Sequence, residues 1–224
     1  MRCGPLGRTI VGTHAFRLYE AELGLRYTVA ELAQTGDIDI AAFERLSLAL
    51  GDQVEDNLAE TFCNLAFAPL PSTSVSAVWR WKQGSTGALV AFLTPSFHPE
   101  EDIRPLPALG ISAQSLHYLN YLIAEQIKAA VLYRSGILVQ IPRPERFAIH
   151  KLIVADSRQG GPDQIKSIKD RAQAAFLIKA LAQDRPGDLL DAYQTALDAG
   201  PRWGARIAAS LMCMPETAAR LAKL

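Results

Sequence analysis

The sequence predicts an α/β chain in which a mixed sheet flanked by helices is followed by a helical bundle, and three observations predict it. A short apolar segment, Arg8–Val11, runs into Gly12-Thr13 and then into residues at helical spacing. Asp37-Ile38-Asp39-Ile40-Ala41 alternates polar and apolar residues, as a half-buried strand does. After Pro142-Arg143-Pro144 the strand signals cease and every segment reads as helix. A boundary near Ile141 therefore separates a mixed α/β domain, 1–141, from a helical domain, 142–224.

The elements follow in order. Arg8–Val11 is a strand, and Ala15, Phe16, Leu18, Tyr19 and Leu23 place a helix over His14–Leu23, with Thr13 as its N-cap and Gly24 as its stop. Phe43–Leu65 is expected to be helical. Ser76–Lys82 and Ala88–Leu93 are strand candidates joined by the turn-rich Gln83-Gly84-Ser85-Thr86-Gly87. Pro95–Gly110, rich in proline and acid, reads as a loop, and Ala113–Glu125 as a helix. Lys128–Tyr133 and Ile137–Ile141 flank Arg134-Ser135-Gly136 as a hairpin. Helices are then expected over Glu145–Ser157, Gln164–Gln183, Gly187–Ala199, Trp203–Met212 and Glu216–Lys223. The breaks fall at Gly160-Gly161-Pro162, Arg185-Pro186, Gly200-Pro201 and Pro215.

Composition excludes several classes of protein. Hydrophobic residues make up 49% and charged residues 21% of the 224, which is ordinary for a globular chain and rules against long disorder. Lysine plus arginine (23) equals aspartate plus glutamate (23), so no global field draws in nucleic acid or an anionic membrane. The distribution is uneven: 10 basic and 14 acidic residues up to Ile141, then 13 and 9. An acidic part able to hold a cation thus precedes a basic part able to meet phosphate. Cys3, Cys63 and Cys213 form no CxxC pair, and the four histidines lack ligand spacing, so a reducing, cytoplasmic setting is expected. No stretch reaches the length of a membrane span.

Three features carry chemistry. A glycine between a strand and a helix lets backbone approach a phosphate, and the helix start supplies free N–H groups and partial positive charge; the bland reading is a capped turn. Asp37 and Asp39 share one strand face, where a divalent cation removes their mutual repulsion and hard oxygen ligands suit Mg²⁺ or Mn²⁺; the bland reading is two solvated aspartates. Lys151, Ala155 and Arg158 share a helix face with Ala148, two cations with small residues that leave room for a bulky anion. Lys166, Lys169 and Asp170 open the next helix. Solvated helix faces are the bland reading of both.

Val11-Gly12-Thr13-His14-Ala15-Phe16, Thr35-Gly36-Asp37-Ile38-Asp39-Ile40-Ala41 and Leu93-Thr94-Pro95 occur in order ahead of two helical runs. These are Pro144-Glu145-Arg146-Phe147-Ala148-Ile149-His150-Lys151-Leu152 and Lys166-Ser167-Ile168-Lys169-Asp170-Arg171-Ala172-Gln173-Ala174. From about Val11 to Trp203 the chain resembles the bacterial nucleotidyltransferase-fold proteins of the family NTP_transf_8. These are distant relatives of toxin-type (AbiEii-like) and polymerase-beta-like nucleotidyltransferases. The resemblance implies a nucleotidyltransferase-like sheet and transfer of a nucleotidyl group from a nucleoside triphosphate (NTP), with pyrophosphate leaving. It implies that Gly12 and Thr13 contact the triphosphate, that Asp37 and Asp39 hold the metal, and that Lys151 and Asp170 are the lysine and acid of the helical part. Arg158 and Lys169 are further phosphate candidates. The acceptor stays open among RNA, protein and a small molecule, and a toxin–antitoxin or phage-defence role is in keeping with the relatives.

Two departures from the family pattern stand out. Ala91 occupies the position, on the strand entering Leu93-Thr94-Pro95, where relatives carry a third carboxylate. Family members also have a longer region ahead of the Gly-Thr turn, so a truncated product or a misplaced start is an expectation. Beside the metal-dependent enzyme stand a pseudoenzyme that kept the fold and binds nucleotide or a partner, and a DxD glycosyltransferase, which requires a doubly wound parallel sheet.

Overall fold

β1 (Arg8–Val11) and β2 (Asp37–Ala42) form in the computed structural model where alternation places strands, and they pair antiparallel with Val11 opposite Asp39. The structure describes residues 8–27, 36–43, 58–71, 77–132, 134–159 and 163–224. The chain divides into two compact units, Met1–Pro142 and Arg143–Leu224.

In the first unit β1 and β2 continue into a mixed sheet with β3 (Phe67–Leu70), β4 (Arg80–Gln83), β5 (Leu89–Pro95), β6 (Ile103–Leu106) and β7 (Ile111–Leu116). The order is β1-β2-β5-β4-β3, with β7 beside β5 and β6 beside β7. β2 runs parallel to β5, and β4 runs antiparallel to it over Leu89–Ala91. From Leu93 to Pro95 the neighbour of β5 is β7, in parallel. A sheet that joins antiparallel β1 to parallel β5 through β2 is not the doubly wound sheet a DxD glycosyltransferase requires.

One face of this sheet is the apolar core. Val90, Phe92, Trp81, Ile111 and Ala113 bury there. α2 (Leu58–Asn64) sets Phe62 against Phe67, Trp81 and Phe92 at ring-centroid distances of 5.2, 5.3 and 5.8 Å, the offset and edge-on geometries that aromatic quadrupoles favour. The opposite face carries Asp37, Asp39 and Ala41, because alternate residues of a strand share a side. It grades from exposed Asp37 to fully buried Ala41. α1 (Gly12–Leu23) packs on β1 and β2 and buries Ala15, Phe16 and Tyr19. It ends where Gly24, left-handed at φ 64°, donates its N–H to Glu20 O. α3 (Leu119–Ile123) precedes the hairpin of β8 (Gln126–Val131) and β9 (Ile137–Pro142). Tyr19 ties α1 to the end of that hairpin by donating its hydroxyl to Pro142 O at 2.8 Å.

The second unit is α4 (Pro144–Ser157), α5 (Gln164–Asp184), α6 (Pro186–Asp198), α7 (Pro201–Met212) and α8 (Pro215–Leu221). α4 is its central helix: Phe147, Ala148, Ile149, Leu152, Ile153 and Ala155 are wholly buried, and α5, α6 and α7 pack around it. Ser167 donates to Ala155 O at 2.6 Å and Ser210 to Leu152 O at 2.5 Å, so two neighbouring helices hold α4 by its carbonyls. Among the described residues no helix is long and apolar enough to cross a membrane.

Several expectations need correction. Thr13 is not the N-cap of α1; Val11 is, because the helix already starts at Gly12, and no side chain caps it. Of the helix expected over Phe43–Leu65, only Leu58–Asn64 is helical among the described residues, and 44–57 lie outside them. Left-handed Ala66 (φ 61°) then turns the chain into β3, which has no counterpart in the sequence reading. Of the strand expected at Ser76–Lys82, β4 takes up Arg80–Lys82 among the described residues and Ser76 lies outside them, and the expected loop Pro95–Gly110 contains β6. Ala113–Glu125 is not a helix: Ile111, Ala113 and Ser115 bury alternately in β7, and helix begins only after left-handed Tyr118 (φ 65°). Thr35, Tyr133 and the break at Gly160-Gly161-Pro162 lie outside the described residues.

Candidate active site

Gly12 joins β1 to α1 at φ 66°, where an L side chain is strained. A Cβ built there would lie 2.5 Å from Asp39 Oδ2. Two independent demands thus exclude a side chain at this position: the backbone angle and the carboxylate already filling the space. The consequence is that Asp39 stands at the tip of α1, whose first N–H groups have no intrahelical acceptor and whose first turn holds no acidic residue. Thr13 lies half-buried in that turn. Asp37 is felt there too. Burial holds the His14 imidazole below its ordinary value and Arg17 pushes it the same way, while the Asp37 carboxylate pulls it back up.

Register defines the rest of this face. Val11, Asp39 and Ala91 are aligned across β1, β2 and β5, and Arg80 of β4 is aligned with Ala91. Directly paired residues project to the same side, so the row across the sheet reads Asp39, Ala91, Arg80. The neighbour of Asp39 on the next strand is therefore a methyl group that neither coordinates a metal nor accepts a proton. Among the described residues no group of three or more His, Cys, Asp or Glu is placed to hold a metal ion. Two aspartates on one face suit a hard cation that takes its remaining oxygens from polyphosphate and water, as Mg²⁺ commonly does. They do not form a closed cage. Sequence reasoning passed over Arg80, because only strand register brings it into this row.

In the second unit the helical candidates come together on one acid. Lys151 Nζ lies 2.5 Å from Asp170 Oδ1 and Arg158 Nη1 lies 2.6 Å from Asp170 Oδ2. Asp170 is 3% exposed, while the Arg158 side chain keeps 37% of its surface. Arg158 is the C-cap of α4 and not a residue of the helix proper. The small residues beside the cations do not leave room for an anion: Ala148 and Ala155 are fully buried, and Ser167 of α5 bonds to Ala155 O. Their smallness admits a helix. Burial, with Lys151 next and Arg158 adding to it, lowers the His150 imidazole to about 3 against the upward pull of Asp170. It is neutral at physiological pH. Lys169 is lowered from its ordinary value by burial and by Lys151, with Asp170 opposing. Lys151 and Arg158 thus both pair with Asp170, one on each carboxylate oxygen.

A family model described as nucleotidyltransferase, NTP_transf_8, matches residues 2–198. The chain belongs to this nucleotidyltransferase family. Among solved structures, this nucleotidyltransferase-family chain is similar to an antigenic nucleotidyltransferase-like protein from Paracoccidioides brasiliensis. The two are 13% identical, the match covers 96% of this chain and 83% of that one, and the TM-score is 0.48. No curated protein matches it.

Proposed function

We propose that this chain transfers a nucleotidyl group from an NTP to an acceptor, with Mg²⁺ or Mn²⁺ bound by Asp37 and Asp39. The observation that carries the reading is the missing side chain at Gly12, whose space is taken by Asp39 Oδ2. A carboxylate and an uncapped helix start share one spot, so a cation and a polyphosphate would neutralise each other there.

The roles follow from the chemistry. The backbone at Gly12 and Thr13 seats the phosphates. In the helical unit Lys151, Arg158 and Lys169 supply charge of the kind that phosphate oxygens require, and Asp170 is the positioning residue that fixes Lys151 and Arg158. In the transfer an acceptor oxygen bonds to the α-phosphorus, and the bond from that phosphorus to the α–β bridging oxygen breaks. Pyrophosphate leaves with the electron pair, and the acceptor proton passes to water. When bound, the divalent ion supplies charge neutralisation at the reacting phosphate. The acceptor is an RNA, a protein side chain or a small molecule.

The test is transfer of label from an α-³²P NTP in cell extract with Mg²⁺. Label moved by the wild type and not by Asp39→Ala supports the reading; equal labelling by both refutes it. A second reading, a binding module without turnover, is favoured by one observation: the residue aligned with Asp39 on β5 is Ala91. It predicts that the NTP binds and no label moves.

A further inference from the structure

Arg80 is the cation in register with Asp39, as Lys82 is with Asp37, and two further observations bear on Arg80. Its Nε is buried without a hydrogen-bond partner among the described residues. Its guanidinium carbon lies over the Trp79 ring, 4.6 Å from the centroid, so the group rests on an aromatic face. A buried guanidinium N–H without an acceptor is costly unless something supplies one.

The side of the row on which Arg80 lies identifies what it meets. Gly12 and α1 flank Asp39 through β1, and Arg80 flanks it on the opposite side, two strands away across Ala91. At a strand spacing of about 4.8 Å this places the Arg80 backbone roughly 10 Å from that of Asp39. In a phosphoryl displacement the attacking and leaving oxygens are in line. Pyrophosphate leaving at the α1 side therefore requires the acceptor to enter from the side of Ala91 and Arg80. Between acid and guanidinium the row carries only the methyl of Ala91.

We propose that Arg80 binds a phosphate group carried by the acceptor, and that the acceptor is accordingly a phosphorylated molecule and not an uncharged side-chain hydroxyl. The planar guanidinium presents paired N–H donors that match phosphate oxygens. This inference rests on the reading of Asp37 and Asp39 as the reacting centre.

The experiment uses the full chain with Mg²⁺, saturated with an NTP analogue whose α–β bridge is an imido group. Inorganic phosphate, a nucleoside 5′-monophosphate and a short oligoribonucleotide are then titrated, with the unphosphorylated nucleoside and a serine peptide for comparison. Phosphate-bearing probes are expected to bind at least about tenfold more tightly than the unphosphorylated ones and to lose that margin in Arg80→Met. Arg80→Lys, which keeps the charge and the fold, retains part of it. Phosphate drawing Arg80 from the indole changes tryptophan emission, and Trp79→Phe abolishes that signal. The three phosphate arms separate free phosphate, a small phosphorylated molecule and a polymer end as its source. If the analogue binds and the phosphate probes are indifferent to Arg80, this inference alone fails. If Arg80→Met weakens the analogue as much as the probes, Arg80 belongs to the triphosphate side and the inference is overturned. If the analogue does not bind, the reading of the site falls and takes this one with it.

Discussion

Replacing Gly12 by alanine tests the geometry at the helix tip most directly. The substitution holds a Cβ at φ 66°, and that Cβ would meet Asp39 Oδ2 at 2.5 Å. The left-handed conformation costs an alanine about 1–2 kcal/mol. The contact must also open by about 1 Å to reach an ordinary separation, which adds roughly 1–2 kcal/mol of displaced carboxylate and backbone. Gly12→Ala alone should therefore lose about 2–4 kcal/mol, whereas in Asp39→Ala the same change costs only the backbone part. The double-mutant cycle should show a coupling of about 1–2 kcal/mol, the two changes together costing less than their sum. Urea unfolding followed by tryptophan emission in a Trp203→Phe background reads the first unit, where Trp79 and Trp81 lie. Additivity within about 0.5 kcal/mol would refute the idea that residue 12 is glycine because Asp39 occupies its space.

The remaining predictions concern charge and chemistry. Asp37→Ala should abolish Mg²⁺-dependent label transfer as Asp39→Ala does, while leaving the denaturation midpoint within about 0.5 kcal/mol, because Asp37 is exposed; retained transfer on assay excludes it as a metal ligand. Ala91→Asp places a carboxylate in register with Asp39, and initial rates of transfer should rise at least about tenfold; no rise means that the third acid is not what limits turnover. Asp170→Ala leaves buried Lys151 uncompensated and should cost about 3–5 kcal/mol in denaturant, more than Asp170→Asn. His150 gives a pH dependence. Its pKa is near 3 when folded against 6.5 as a free side chain, so between these values the unfolded chain binds more protons and stability falls as pH drops. The loss by pH 5 relative to pH 7 should be about 2 kcal/mol. Denaturation curves of His150→Asn should lack that component; an unchanged pH dependence counts against the buried neutral imidazole.

Much of the fold was legible because its signals were local. Arg8–Val11, the acid-bearing strand and the last hairpin announce themselves by alternation and by glycine at the turns. The helices after Pro142 were placed to within a residue or two. Apart from α5, which starts at Gln164 as expected, their starts were read late for one reason: Pro144, Pro186, Pro201 and Pro215 are first helical residues, where a missing N–H costs nothing, and not breakers. What escaped was decided by tertiary pairing. The segment Ala113–Glu125 has helix-like spacing from Leu116 onward, yet its earlier part is drawn into the sheet as β7 by β5 and β6. β3 is a four-residue edge strand containing Pro69, which local preference disfavours and pairing with β4 supplies. At the site, the facing of Asp37 and Asp39 followed from period two, and Lys151 and Asp170 were singled out by the family resemblance without their pairing being foreseen. Arg80 was invisible because nothing near it in sequence shows which strand it will lie beside. Ala148 and Ala155 were misread because small residues are ambiguous between a cavity and a close helix contact, and only the position of α5 resolves it.

β5 is a trunk from which two branches leave on the same side: β4 along Leu89–Ala91 and β7 from Leu93 onward. The outer branch carries Arg80 and Lys82 in register with Asp39 and Asp37 across the trunk, whereas the inner one ends within the packed interior beside Thr94 and Ser115, both almost wholly buried. The outer branch is also tied to the inner one, because Ser112 of β7 donates its N–H to Val78 O just ahead of β4. Redrawing the outer branch therefore reaches the apolar core as well, because Trp81 of β4 and Phe67 of β3 both pack against Phe62 there.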